Sequence, residues 1–474
     1  MRKNLTRFTV LFTLLALVLS LPIAINAQSD EDPLGILEDD RFHWEDLEQF
    51  RGFDMGGEEV VIFGPWLTGD EEAFLNVISY FNSVVTNGGI TYVGSDSFEQ
   101  QIVIDVEGGN PPNIAAFPQP GLAANIASRG GLTPLGDDLE QYVLDNFAGG
   151  QGWVDFGSYA DEAGEDQFYA MFYNVNLKSL VWYVPEVFEE SGYEIPTTWD
   201  ELVALSDQIV ADGGTPWCIG IGSEAATGWP ATDWVEDIML RTAGLEVYQQ
   251  WINNEIPFTD PAVQNAIELF GSIARNEDYV NGGAVGVQTT DFRESPAGLF
   301  TVPPECYMHR QASFISAFFP EDVEVGVDAD FFYFPAIDEE VGNPVLGGGT
   351  LLTITKDSPA TQAVMQYLST PLAHELWMTQ GAFLTPHSGV NVELYSSDVL
   401  RSQGEILLNA DVFGFDGSDL MPGAIGAGAF WTAMVDYVGG ASVEEVTQAV
   451  QDAWDALATE PAGEDAAATE EAAD

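Results

Sequence analysis

The sequence predicts an α/β protein with more than one lobe. Apolar strands and amphipathic helices alternate from residue 59 to about residue 130, the pattern of a doubly wound lobe. From Val181 onward the periodicity turns mainly helical. The length agrees, because 474 residues are more than one hydrophobic core usually organises. An apolar fraction of 46% is enough to fill large cores.

The first strand is Glu59 to Phe63, a β-branched apolar run bounded by Gly57 and Gly64-Pro65. A helix follows from Asp70 to Phe81, with Phe74, Leu75, Ile78 and Phe81 at helical spacing. Ile90 to Val93 and Asn113 to Phe117 read as strands, and Ser97 to Glu107 and Leu122 to Arg129 as helices. Beyond Val181, helices are predicted at Pro185–Ser191, Thr198–Ala211, Trp234–Thr242, Val247–Asn253 and Pro261–Arg275. Thr198 and Glu201 have capping-box spacing. Strands return at Ala297–Val302, Phe331–Phe334 and Thr350–Ile354. Helices close the chain at Ala360–Leu368, Ala373–Gln380, Glu405–Asn409, Phe430–Tyr437 and Val443–Ala458.

Both ends read differently from the body. Arg2, Lys3 and Arg7 precede an uncharged apolar run from Phe8 to Ile25, with Ala27 before acidic residues. That is the layout of a cleaved export signal over residues 1–27; an uncleaved anchor is the alternative. Residues 28–57 read as an acidic leader with one short helix around Trp44–Phe50. Residues 460–474 read as an acidic disordered tail.

Charge removes several classes of partner. The chain carries 76 acidic and 13 basic residues, which repels nucleic acid and anionic lipid. The acid excess can serve solubility in a harsh exterior, or attract a cationic ligand. Cys218 and Cys306 are the two cysteines. In an exported chain they suggest a disulfide, with two buried thiols as the alternative.

No catalytic motif is present: no HExxH, GxSxG, Walker loop or GxGxxG after a strand. His43, His309, His374 and His387 lack metal-ligand spacing and read as surface or capping residues. Gly414–Asp419 has a calcium-like composition without the EF-hand pattern, so no metal and no cofactor is expected. The aromatics are more informative. Trp66 follows the first strand, where open α/β sheets bind ligands. Trp229 and Trp234 sit around a glycine-rich turn, and Phe430-Trp431 follow Gly426-Ala427-Gly428. Aromatic faces can stack on pyranose rings, while Asp96, Gln119 and Asp233 can bond hydroxyls.

These residues lie in stretches that carry a family resemblance: IFGPWLTGDE (62–71), GSDSFEQQIVIDVEGGNPPNIAAFPQPG (94–121), GWPATDWVEDIMLR (228–241), GGGTLLTITKDSPA (347–360) and FDGSDLMPGAIGAGAFW (415–431). The chain resembles extracellular solute-binding proteins of ABC sugar importers, the alpha-glucoside-binding branch. Two departures are Asn113, where the family usually has Asp, and Leu67, where many relatives have a basic residue. The resemblance implies a type II periplasmic-binding fold: two lobes, a hinge and an interlobe cleft that closes on a small sugar. Lobe 1 would comprise 58–171 and 347–390, and lobe 2 would comprise 172–346 and 391–459. It also implies a Cys218–Cys306 disulfide, a monomer outside the cell membrane or in the periplasm, and delivery to permease subunits. The full set of expected ligand contacts is Trp66, Ser95, Asp96, Gln119, Trp229, Asp233, Gly349, Thr350, Phe430 and Trp431.

Overall fold

The computed structural model describes residues 32–459, apart from 149, 343, 382 and 409–411. The export segment, the first residues of the leader and the tail lie outside the described residues.

The chain opens with β1 (Asp54–Gly64), β2 (Thr86–Gly94) and β3 (Ile114–Phe117), each followed by a helix: Thr68–Val84, Phe98–Glu107 and Pro120–Ala127. β1 pairs in parallel with β2 on one side and β3 on the other. A hairpin of β4 (Ser158–Ala160) and β5 (Asp166–Phe168) leads into β6 (Ala170–Leu177). The chain then forms β7 (Leu180–Tyr183), β8 (Met308–Arg310) and β9 (Asp330–Tyr333), a small sheet ordered β8-β7-β9. β10 (Val345–Ile354), buried at every position, returns antiparallel to β3 and β6. β11 (Phe413–Phe415) completes the large sheet, ordered β11-β10-β3-β1-β2 with β6 on β10.

The backbone therefore passes between the large sheet and the helical part three times. It leaves β6 for β7 through Lys178 and Ser179, returns from β9 to β10, and leaves β11 for the helix Gly417–Leu420. One hydrophobic cluster centres on the large sheet and reaches through Trp182 to Cys218 and Cys306. A second fills the helical part around Trp217, Trp234 and Trp251.

Several local expectations are refined. Thr198 and Glu201 form the reciprocal capping box at helix Trp199–Ala211. The helices read at 234–242 and 247–253 are two helical segments within Trp229–Ile252, separated by a break at Gly244 with φ 78° and ψ 169°; the first begins earlier than read, at Trp229. The strand read at 297–302 is instead a 3-10 turn over Ser295–Phe300. Pro296 there lacks a ladder donor, and a side chain at Gly298 would collide with the Cys306 sulfur. The leader is firmer than its composition suggests. Phe42, Leu47, Phe50 and Met55 are buried, and Asp32 accepts from Tyr80 Oη at 2.8 Å. The short helix lies at Glu45–Glu48.

Three of the four histidines are buried rather than superficial: His309, His374 and His387. Burial pushes His309 and His387 down to about 4. A depressed histidine stabilises the fold fully above its unfolded value of about 6.5 and loses that contribution as pH falls toward 4. Denaturant unfolding of His309→Asn across that window should therefore show a shallower acid limb than the parent. The Cys218–Cys306 disulfide is formed across 88 residues of chain. Replacing both cysteines by alanine should lower unfolding free energy by about 4 kcal/mol, measured by thermal or urea denaturation without reductant.

Candidate functional site

A cavity opens at the carboxyl ends of β1, β2 and β3, between the large sheet and the helical part. Three loops build its first wall. Trp66 follows β1 and its backbone is clamped by one hydroxyl: Trp66 N donates to Tyr92 Oη at 2.7 Å, and that hydroxyl donates to Trp66 O at 3.0 Å. Gly94 is required beside it, because any Cβ there would collide with Trp66 O. The Trp66 ring packs among Phe74, Tyr92, Tyr173 and Trp377, so it presents only part of its surface. After β2 come Ser95, whose N–H donates to Gly64 O at 3.0 Å, and exposed Asp96. After β3 comes Gln119, whose Nε2 donates to Glu99 Oε1 at 3.1 Å. Its Oε1 is buried without a partner. β10 contributes Gly349 and Thr350, and the Thr350 N–H donates to Asn174 Oδ1 at 3.3 Å.

The opposite wall is aromatic. Trp229 starts helix Trp229–Ile252 after Gly228, whose φ of +116° favours glycine. A Cβ at Gly228 would strike Trp431 O, so this glycine lets the two tryptophan-bearing segments meet. The half-buried Trp229 ring stands edge-on to Phe292 at 4.9 Å and near Phe314 at 6.0 Å. Lys178 Nζ lies 5.5 Å from its centroid. Trp431 Nε1 donates to Ser418 Oγ at 3.3 Å.

Beneath both walls lies a buried ionic network. Lys178 Nζ donates to Asp416 Oδ2 and, at 2.9 Å, to Asp233 Oδ1, with Asp419 4.0 Å away. Asp416 Oδ1 also caps helix Gly417–Leu420, accepting from Asp419 N and Ser418 Oγ at 2.9 Å. Burial pushes Asp233 up to about 7, while Lys178 opposes that shift. Against burial, Lys178 holds Asp416 below the usual carboxylate range. Burial also raises Glu236 and Asp419, with Asp416 adding repulsion. Carboxylate oxygens of Asp233, Glu236 and Asp416 lie within 4.8 Å of one another, a spacing that could hold a metal ion. The Lys178 ammonium already supplies a cation to two of these three groups, so the donor set does not call for a metal.

Of the ten residues the sequence selects, Trp66, Ser95, Asp96, Gln119, Trp229, Gly349, Thr350 and Trp431 line this cavity together. Asp233 does not reach it. It lies behind Lys178, 1% exposed. Phe430 points the other way, into the core against Phe258 and Trp251 at 5.1 and 5.6 Å. Sequence reasoning missed Lys178, Glu99, Asn174, Asn176, Phe292, Arg293, Phe314 and Asp419. The available signals were a lysine among so few lysines and the acidic stretch Gly414–Asp419.

Residues 66–375 match the family model described as bacterial extracellular solute-binding protein. The chain belongs to that family. It is 57% identical over 423 residues to the alpha-glucosides-binding periplasmic protein AglE of Rhizobium meliloti (strain 1021), covering 89% of this chain and 92% of that one. It is 42% identical to the osmoprotective compounds-binding protein GgtB of Synechocystis, covering 85% and 93%. Among solved structures, a chitin oligosaccharide binding protein aligns with a TM-score of 0.71 at 18% identity, over 84% of this chain and 98% of that one. At that identity the likeness concerns the fold, which is the type II periplasmic-binding architecture. Among the described residues, no helix is long and apolar enough to cross a membrane.

Removing Lys178 should expose how much the network depends on it. Lys178→Met leaves Asp233 and Asp416 buried without their shared cation and should cost about 3–5 kcal/mol. Adding Asp416→Asn to that variant should restore a large part. Urea denaturation of the parent and the two variants checks both outcomes.

Proposed function

We propose that this protein is the extracellular receptor of an ABC importer and that its cargo is an α-glucoside or related small sugar. The observation that carries the reading is the pairing of the two walls. Trp229, steadied by Phe292 and Phe314, offers a ring face on one side. Asp96 and Gln119 offer hydroxyl partners on the other. A pyranose has matching surfaces, an apolar C–H face and a rim of hydroxyls. The likeness to AglE, whose name gives alpha-glucosides as its ligand, supports the same class here.

In this reading Trp66, Trp229 and Trp431 stack on or flank the rings, and Ser95, Asp96, Gln119, Gly349 and Thr350 line the polar side. The lobe boundary falls at the three backbone passages, near 178–179, 334–345 and 416, rather than at 172 and 391. Rotation about those passages closes the cleft. The sugar favours the closed form because only that form brings both walls onto it. The permease then receives the closed receptor.

Isothermal titration with maltose, trehalose, sucrose and glucose tests the assignment. Binding of at least one disaccharide is expected, and no binding to any of the four contradicts it. Trp229→Ala should weaken that binding about tenfold or more through loss of the stacking face. Phe430→Leu, in the core, should change affinity by no more than about twofold.

A further inference from the structure

The charges around the cavity define which derivatives of the sugar it can take; this inference rests on the glucoside reading above. Five carboxylates line the cavity: Asp70, Asp96, Glu99, Asp416 and Asp419. Two cations join them, and both are engaged. Lys178 holds Asp416 and Asp233. Arg293 grips Asp291 through Nε at 2.8 Å and Nη2 at 2.9 Å. The neutral groups add further acceptors. Gln119, 5% exposed, has its amide orientation fixed by donation to Glu99, which leaves Oε1 without a partner. Asn176 Oδ1, also on the lining, is unpartnered too.

A wall of this kind offers lone pairs and negative charge. A sugar hydroxyl satisfies the lone pairs alone. An alkylammonium satisfies the lone pairs and the charge, and gains attraction to the face of Trp229. A phosphate or carboxylate satisfies neither and must be desolvated against like charge. Burial has already pushed Asp70 up to about 7, and burial, with a smaller push from Asp96, moves Glu99 upward.

We propose that the cavity accepts α-glucosides bearing a protonated amine, binds them more tightly than their neutral parents, and excludes their anionic counterparts. The test titrates maltose and trehalose beside their 2-amino-2-deoxy, 6-amino-6-deoxy and 6-phosphate derivatives at mildly alkaline pH. At about 20 mM salt, at least one amine should bind about fivefold or more tighter than its parent, with most of the gain lost at about 300 mM salt. The phosphates should bind at least about tenfold more weakly. In Glu99→Gln and Asp96→Asn the ratio of amine to parent affinity should fall toward one, a ratio in which any general loss of binding cancels. Amines no tighter than their parents at low salt, or phosphates as tight as the parents, overturn the proposal. Parents that bind while every amine is rejected leave the glucoside reading intact and remove this one. Amines that bind where no parent does support the charge preference and remove the neutral glucoside as cargo, and silence from all of them removes both.

Discussion

The fold turns on one helix face. Helix Trp229–Ile252 directs Asp233, Glu236, Asp237 and Arg241 toward the passages between sheet and helices, and all four are buried. Together they are met there by partners from all three passages. Asp233 receives Lys178, and Asp237 receives Ser179 Oγ at 3.0 Å. Ser179 Oγ in turn accepts from Leu346 N at 2.9 Å. Glu236 accepts from Gly417 N and Ser418 N at 3.1 and 2.9 Å, and Arg241 donates to Phe334 O at 3.1 Å. Asp237 also pairs with Arg241 and with Arg310, the latter at 2.9 Å. Buried charges are tolerated only when paired and hydrogen-bonded, so these contacts fix where the three strands must pass.

The same network places the site. Trp229 begins the helix whose next turn bears Asp233, and Asp416 lies between β11 and the turn that carries Ser418. Ser418 takes the Trp431 indole, so both second-wall tryptophans are referenced to the joint between the lobes. Lys178 belongs to that joint and also lines the cavity. Any shift of the passages must therefore move the floor of the site together with its aromatic wall. If occupancy is coupled to the lobe rotation proposed above, this ammonium and its carboxylates lie where that coupling would act.

The strand-helix rhythm of residues 59–130 is legible because its strands are short β-branched or apolar runs, fully buried in β3, while the helices Thr68–Val84 and Phe98–Glu107 bury only some of their positions, so the periodicities differ. Trp66, Asp96 and Gln119 could be placed for the same reason: ligand loops follow the ends of parallel strands. Asp233 and Phe430 were legible only as residue types next to a tryptophan. Their direction depends on helix phase and on what packs behind, which local pattern does not encode. Lys178 and Asp416 lie 238 residues apart, and Lys178 with Asp233 55 apart; nothing in local sequence joins them. Phe292 and Phe314 became site residues through packing against Trp229, a tertiary fact. In the acidic leader the charges dominate the composition, while four buried apolar side chains decide its placement.

The most direct test is a crystal structure of the protein grown with an α-glucoside disaccharide. The result expected is a pyranose ring against Trp229, with hydroxyls on Asp96 and Gln119 and the Lys178 network intact beneath it. A sugar bound elsewhere, for example in the groove lined by Glu324, Tyr395 and Arg401, with this cavity holding only solvent, would contradict the assignment.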